Sequence, residues 1–222
     1  MTRSIRRQRG LSMIGLLIGL LLSLLSTVGA MTLFRAVVQN SVGAQADAAQ
    51  DSVVSSALLS TQLEIQKAGY GIEDAAASPS AAVNTDLVLL ADASVDGGAV
   101  AGTPVSIDAI PRTGNGVFWR WREAGTDRCG GVVAANGGLR ALRNDDCPGL
   151  ANIATIDWEV LQLIPDDRLP EADAVGFEVQ SGSCWPFGKS DPETGVVVTL
   201  SAGNSTEGLA TQYEVCLPNI RP

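Results

Sequence analysis

The side chains of this sequence that could carry out chemistry are cysteines, clustered carboxylates and one run of aromatic and arginine residues, because there is no histidine. Ser-His-Asp and Cys-His sites are therefore excluded. The sequence also lacks a Gly-x-Ser-x-Gly segment, a phosphate-binding loop and a dinucleotide fingerprint. Carboxylate pairs like those of glycosidases remain, but the acidic residues cluster in turn-like sequence. We therefore predict no catalytic residue, no cofactor and no enzymatic activity.

Three acidic clusters offer oxygen ligands of the kind that calcium prefers. They are Asp92 with Asp96, Asn144-Asp145-Asp146, and Asp166-Asp167. None follows the order of an EF-hand loop, so we interpret them as solvated turns and predict no metal site.

The run Phe118-Trp119-Arg120-Trp121-Arg122 alternates in a way that is typical of a β-strand. On a strand, Trp119 and Trp121 share one face, and the phenylalanine and both arginines share the other. One interpretation is an exposed platform for a ligand, with cation–π contacts, which would suit an adhesin whose surface ligand is unknown. The favoured interpretation packs the tryptophans in a core and directs the arginines outward.

All four cysteines lie in the second half of the chain, at Cys129, Cys147, Cys184 and Cys216. No Cys-x-x-Cys spacing occurs, which disfavours a zinc site and favours two disulfides in an oxidising compartment. Three pairings are possible, and we favour Cys129–Cys147 and Cys184–Cys216 because these partners are nearest in sequence. Each bond would contribute roughly 3 kcal/mol by restricting the unfolded chain.

Length and charge set the remaining limits. The 222 residues suffice for one membrane helix and one modest domain. The net charge is −9, and four arginines lie in the first nine residues, so the remainder has 11 basic against 24 acidic residues, a net of −13. Such an acidic body would be repelled by nucleic acid. The basic head is typical of a cytoplasmic side, which predicts that the rest is exported.

No charge occurs between Arg9 and Arg35, and this apolar segment is long enough to cross a bilayer. One alternative is an ordinary signal peptide cut after Val28-Gly29-Ala30, so that the product starts at Met31. A twin-arginine signal, suggested by Arg6-Arg7, and an uncleaved anchor are further alternatives.

The helical pattern continues beyond the apolar segment, because no proline occurs before Pro79. Gly69 and Gly71 supply a stop signal, so we predict one helix from Leu11 to about Ala68, a continuity that a removable signal does not need. The predicted segments are a leader at 1–10, an apolar helix at 11–35, an amphipathic helix at 36–70 and a globular domain at 71–222. An apolar stripe comprises Val38, Val42, Ala46, Ala49, Val53 and Ala57, and a second ridge comprises Val54, Leu58 and Ile65, with Leu59 and Leu63 beside it.

The junction Arg9-Gly10-Leu11-Ser12-Met13-Ile14 resembles the class III signal of type IV pilins and type II secretion pseudopilins, which prepilin peptidase cuts. The stretch from Leu63 to Gly71, with its Ala-Gly-Tyr-Gly ending, resembles the helix end of PilW-type minor pilins. The resemblance covers residues 6 to 72, about a third of the chain, and does not extend to the remainder.

The resemblance implies cleavage after Gly10 and N-methylation of the new N-terminus, Leu11, where most pilins have phenylalanine. It also implies a glutamate at the fifth mature position, where this chain has Gly15. That glutamate is thought to neutralise the N-terminal amine of the preceding subunit. Without it, a place at the tip or incorporation through a partner minor pilin is favoured over a bulk shaft role, unless the site simply tolerates glycine. Gly15 and Gly19 also form a small-xxx-small pair suited to close helix packing.

The globular part alternates short apolar runs with turn residues, which predicts an antiparallel sheet packed on the last turns of the helix. The fold class is therefore α+β and pilin-like, with the hydrophobic half of the helix protruding. Residues 73–85 are predicted as a loop. The predicted strands are Leu87–Ala91, Val105–Ile110, Val117–Arg122, Ile153–Ile164, Val175–Val179, Val196–Leu200 and Tyr213–Leu217.

These features predict a minor pilin of the PilW type in the tip or priming complex of a type IV pilus, with roles in adhesion or twitching motility. Its partners would be other minor pilins, the major pilin, prepilin peptidase and inner-membrane lipid, and it would move from the inner membrane to the pilus. One alternative is a pseudopilin at the tip of a type II secretion pseudopilus. Another is an exported enzyme or carbohydrate-binding domain with an ordinary signal.

Overall fold

The computed structural model describes residues 12–73, 75, 86–147, 149–169, 174–185, 190–203 and 211–221. The predicted cut between Gly10 and Leu11 lies outside the described residues, as does most of the predicted loop at 73–85.

A single helix, α1, spans Met13–Ile65 and contains 53 residues. This confirms the predicted continuous helix, which also runs unbroken through Gly29. A turn follows it, in which Gly69 and Gly71 have positive φ angles of 74° and 70°. Glycine reaches such angles without a steric penalty, so these two residues end the helix as the sequence predicts.

The chain divides into two compact units, Met1–Asp51 and Ser52–Pro222. In the first unit, the described side chains of α1 are all exposed. The second unit contains the last turns of α1 and the ten strands of the described residues.

The strands form two antiparallel sheets, so the structure has two sheets where the sequence predicts one. A six-stranded sheet has the order β2-β1-β4-β5-β6-β7, and a four-stranded sheet has the order β10-β9-β8-β3. The strands are β1 (Leu87–Asp96), β2 (Ala99–Val105), β3 (Arg112–Gly114), β4 (Gly116–Glu123), β5 (Thr126–Ala135), β6 (Gly138–Asn144), β7 (Glu159–Ile164), β8 (Gly176–Cys184), β9 (Glu193–Ala202) and β10 (Thr211–Leu217). A 3₁₀ segment, Leu150–Thr155, precedes β7.

Both faces of the six-stranded sheet are covered by apolar side chains. On one face, Trp119 and Trp121 join a core with Leu58 of α1 and with the four-stranded sheet. On the other face, Phe118 packs against Trp158, with 5.4 Å between the ring centroids. Strand β4 is therefore the centre of the domain.

In the amphipathic half of α1, the burial of apolar side chains depends on their position along the helix. Ala57, Leu58 and Ile65 are buried, whereas Leu59 and Leu63 are exposed. The earlier members of the apolar stripe do not enter the core: Val38, Val42, Ala49 and Val53 are exposed, and the side chain of Ala46 is outside the described residues.

Two predicted strands are wrong in part. The strand predicted at Val105–Ile110 lies instead at Ala99–Val105, because the turn at Gly97-Gly98 folds that segment back onto β1. The long strand predicted at Ile153–Ile164 exists only from Glu159, because the preceding 3₁₀ segment turns Ile153 into the second core.

Candidate functional site

The apolar segment of α1, defined here as Met13–Phe34, contains 14 of the 25 large apolar side chains that are exposed in the described part of the chain. Its leucines and isoleucines are each more than half exposed. Among the described residues, α1 is the one helix that is long and apolar enough to cross a membrane. Soluble monomers rarely expose an apolar surface of this extent, so we expect lipid or another protein to cover the segment.

Three hydroxyl groups of the apolar segment bond to the helix backbone. Ser26 Oγ donates to the Leu22 carbonyl oxygen at 2.9 Å, Thr27 Oγ1 to that of Ser23 at 2.5 Å, and Thr32 Oγ1 to that of Gly29 at 2.8 Å. A hydroxyl that is already bonded costs less to place in an apolar medium. These residues therefore keep the segment compatible with lipid.

Gly15 and Gly19 lie one turn apart on the same side of α1. A Cβ atom built on either glycine has no atom of the chain within 4 Å. The groove that their missing side chains leave is therefore open, and a second helix could approach it closely.

The Ala68–Gly71 turn ties the end of α1 to the β domain. The Gly69 N–H donates to the Arg120 carbonyl oxygen, and the Arg122 N–H donates to the Tyr70 carbonyl oxygen, each at 2.8 Å. A Cβ on Gly69 would lie 2.7 Å from the Asn219 carbonyl oxygen, and one on Gly71 would lie 2.5 Å from that of Arg122. The two glycines thus permit contacts that no other residue would allow at these positions.

The aromatic run on β4 belongs to the core, as the favoured interpretation predicts. Trp119 is 2% exposed and Trp121 is 7% exposed, so they form no open ligand platform. Lys67 lies 5.7 Å from the centroid of the Trp121 ring. The Trp119 Nε1 atom has no hydrogen-bond partner among the described residues.

The arginines of β4 pair with two aspartates. Arg120 bonds Asp86 at 2.6 Å and Asp127 at 3.2 Å, and Arg122 bonds Asp127 at 2.5 Å. The hydrogen bond from Arg122 is the main cause that lowers the pKa of Asp127, and the same bond raises the pKa of Arg122. Sequence reasoning missed Asp86, which is buried directly before β1 and carries no local motif.

Sequence reasoning also assigned no role to Asn115, which lies between β3 and β4. Its side chain accepts from the Ala93 N–H at 2.7 Å and donates to the carbonyl oxygens of Ala93 and Ala134, both at 2.8 Å. These bonds satisfy the backbone N–H and carbonyl groups of Ala93 at the bulge in β1, where the register shifts between Ala91 and Ser94. The flanking glycines were the available signal, since they mark the point where the chain passes between the sheets.

Residues in two of the predicted acidic clusters form ion pairs or hydrogen bonds with the β domain. Asp166 pairs with Arg140, Asp145 pairs with Arg128, and Asn144 Oδ1 accepts from the Asp146 N–H. Within the described ranges, no group of three or more acidic or cysteine side chains is placed to hold a metal ion.

The structure contains two disulfides, Cys129–Cys147 and Cys184–Cys216, which are the pairs that sequence proximity favours. The first links β5 to the segment before the 3₁₀ turn, and the second links the end of β8 to β10. Disulfides persist in oxidising compartments, so the β domain is suited to an exported location.

Comparison with known proteins gives no relative, since no family model, no curated protein and no solved structure matches the chain.

Proposed function

We propose that this chain is a minor pilin-like subunit that helps to initiate or cap a type IV pilus within a tip or priming complex. The observation that carries the proposal is the unbroken helix α1, which begins as an exposed apolar segment and ends in the core of the β domain. An ordinary signal peptide is removed ahead of the folded product and needs no such continuity. The proposal also rests on the resemblance of residues 6–72 to type IV pilins.

The proposed mechanism is mechanical. The apolar segment holds the subunit in the inner membrane until it exchanges lipid for the helices of other minor pilins and the major pilin. Burying one large apolar side chain is worth about 1.5 to 3 kcal/mol, so a segment with this many leucines does not remain in water at any stage. The groove at Gly15 and Gly19 supplies a surface for close approach.

The maturation step provides the direct test. In the proposed route, prepilin peptidase cuts after Gly10 and methylates Leu11. Mass spectrometry of the protein purified from its native host should give a product that starts with methyl-Leu11, and a Gly10→Val variant should keep its leader. A product that starts at Met31 would exclude the proposal in favour of an ordinary signal peptide.

Position within the pilus has a separate test at Gly15. Without a carboxylate there, the subunit cannot neutralise the amine of a predecessor, which favours the tip. We expect Gly15→Glu to appear along the shaft in immunogold labelling, because the new carboxylate can meet that amine. Gly19→Glu is the matched control, since it places the same charge one turn away, where a carboxylate in an apolar segment costs about 2.5 to 3.5 kcal/mol without a partner. Equal labelling for both variants would contradict the assignment to the tip.

The partner system can be identified by deletion of the gene. Loss of surface pili supports the proposed function, whereas loss of a secreted protein from the medium with pili retained would assign the chain to a type II secretion pseudopilus.

A further inference from the structure

Strand β7 forms one edge of the six-stranded sheet, because among the described strands it pairs with β6 alone. Residues Glu159–Gln162 pair one by one with β6, and the register shifts only beyond them. No other backbone hydrogen bond of the described residues reaches β7. The outer N–H and carbonyl groups of Glu159–Gln162, which we call the free edge of β7, are therefore open to a further strand.

The other three edges of the two sheets carry features that discourage strand addition. Strand β2 contains Pro104 and pairs with β1 across a bulge, β3 has three residues, and β10 exposes the polar side chains of Gln212 and Glu214. Proline, bulges, short strands and charges are the means by which proteins protect sheet edges. Strand β7 contains neither proline nor glycine, and it exposes Val160 by 38% and Leu161 by 57%.

The geometry of the free edge limits what can cover it. Val160 and Leu161 are consecutive in a strand, so their side chains lie on opposite faces of the sheet. A helix on either face would cover only one of them, whereas an extended strand along the edge contacts both. Lipid does not suit the edge, because it offers no hydrogen-bond partner to the outer backbone groups.

The charge at the start of β7 adds to the chemistry of the partner. Asp157 and Glu159 are both exposed there. An opposite charge on a facing strand stabilises a sheet, so the matching segment carries a lysine or an arginine near Glu159 and apolar residues beside Val160 and Leu161. Strand β7 has no basic residue, so the same strand of a second copy does not supply this charge.

We propose that the free edge of β7 accepts a β-strand from a neighbouring, different minor pilin, so that the six-stranded sheet continues across the boundary between the two subunits. This inference rests on the proposed function and names the surface by which the β domain joins a tip or priming complex. It needs only one copy of this chain in the complex. The main-chain hydrogen bonds would hold the added strand, and the side chains of Glu159, Val160 and Leu161 would select its sequence.

Photo-crosslinking of the full chain in its native host tests the conformation of the partner. The photoreactive residue p-benzoylphenylalanine replaces Val160 in one variant and Gln162 in another, because these positions share one face of β7. The same replacement of Thr103, on the protected edge strand β2, is the control. Mass spectrometry of the crosslinked peptides identifies the residue that each position reaches.

We expect the two β7 variants to reach positions two residues apart in one segment of another minor pilin, and the β2 variant not to reach that segment. Targets three or four residues apart indicate a helix and would overturn the inference. Crosslinks only to a second copy of this chain, or no crosslink from β7, would also overturn it.

A lysine at the edge tests the contact itself, because lysine on an edge strand disfavours strand addition. Leu161→Lys should lower the crosslink from position 160 about tenfold, equivalent to about 1.4 kcal/mol. Ile110→Lys is the matched control, since Ile110 is 62% exposed and lies outside the strands, and it should leave the crosslink unchanged. Leu161→Val keeps an apolar side chain and should retain the crosslink, which separates the lysine effect from a defect in folding. Equal losses for Leu161→Lys and Ile110→Lys, or no loss for Leu161→Lys, would contradict the proposed contact.

The start of the mature chain separates this inference from the proposed function. A product that starts at Met31 removes both. A product that starts at methyl-Leu11 but gives no crosslink from β7 to another minor pilin overturns the strand addition alone.

Discussion

Replacing Leu58 with alanine tests whether the last turns of α1 are held by the β domain. Leu58 is 0% exposed and belongs to the core that contains Trp119. The substitution removes three carbon atoms, worth about 0.8 kcal/mol each as transfer free energy, and leaves a cavity that adds to the cost. We expect the free energy of unfolding to fall by about 3 to 4 kcal/mol.

Leu59 provides a matched control, because it is the next residue of the same helix and is 47% exposed. Leu59→Ala loses only part of the transfer free energy and creates no closed cavity, so we expect a loss of about 1 kcal/mol. Both changes have the same effect on helix propensity, which cancels in the comparison.

The assay is denaturant unfolding of the full chain in detergent micelles, followed by the fluorescence of the buried tryptophans. The disulfides are kept oxidised so that both variants share one unfolded reference state. Equal losses for the two variants, or a larger loss for Leu59→Ala, would refute the placement of Leu58 in the core. Either result would also remove the main support for the conclusion that one helix, α1, joins the apolar segment to the folded domain.

Three other predictions concern the β domain. Gly131→Ala places a Cβ against the facing phenylalanine ring and should lower the free energy of unfolding in urea by about 2 to 3 kcal/mol. Gly182→Ala is the control: its Cβ meets nothing within 4 Å, so the free energy of unfolding should fall by less than about 1 kcal/mol. Because the pKa of Asp127 is lowered from 3.8 in the fold, its stabilisation is present above about pH 3.8 and is lost progressively as the pH falls below that value. Asp127→Asn should therefore reduce stability at pH 7, and acid titrations should show that this loss shrinks as the pH is lowered below 3.8. Removing the Cys184–Cys216 bond, which closes a loop of 32 residues, by a double serine substitution should cost about 3 to 4 kcal/mol in thermal unfolding, and an unchanged midpoint would contradict its role.

The helix could be predicted from the sequence because its signals are local. An uncharged apolar segment, the absence of proline and the glycines at 69 and 71 each act within a few residues. The disulfide pairs followed from proximity for a similar reason, since Cys129–Cys147 closes the β5–β6 hairpin and Cys184–Cys216 joins two strands that both pair with β9.

The sheets were harder to predict because their determinants are distant in sequence. Strands β5 and β6 were missed, although the Asn136-Gly137 pair between them is a hairpin signal. Gly130 and Gly131 are typical of a turn rather than of a strand, which made β5 hard to predict. Both glycines are required, because the rings of Trp119 and Phe118 lie against them from opposite faces of the sheet. Only tertiary packing can override the low strand propensity of two glycines.

The same reasoning separates the two parts of α1. A stripe of valines and alanines before residue 54 and a ridge of leucine and isoleucine after it have the same periodicity, yet only the later ridge is buried by the β domain. The periodicity of apolar residues identifies which side of a helix is apolar, but it does not identify the molecule that covers that side. The earlier stripe and the apolar segment therefore need a partner from outside the described chain. For the apolar segment that partner must be apolar, because the segment carries no charge and three of its hydroxyls bond to their own helix. Substitutions in the core of the β domain should then act through stability, whereas substitutions on the exposed faces of α1 before residue 52 should act on association and leave unfolding of the β domain unchanged.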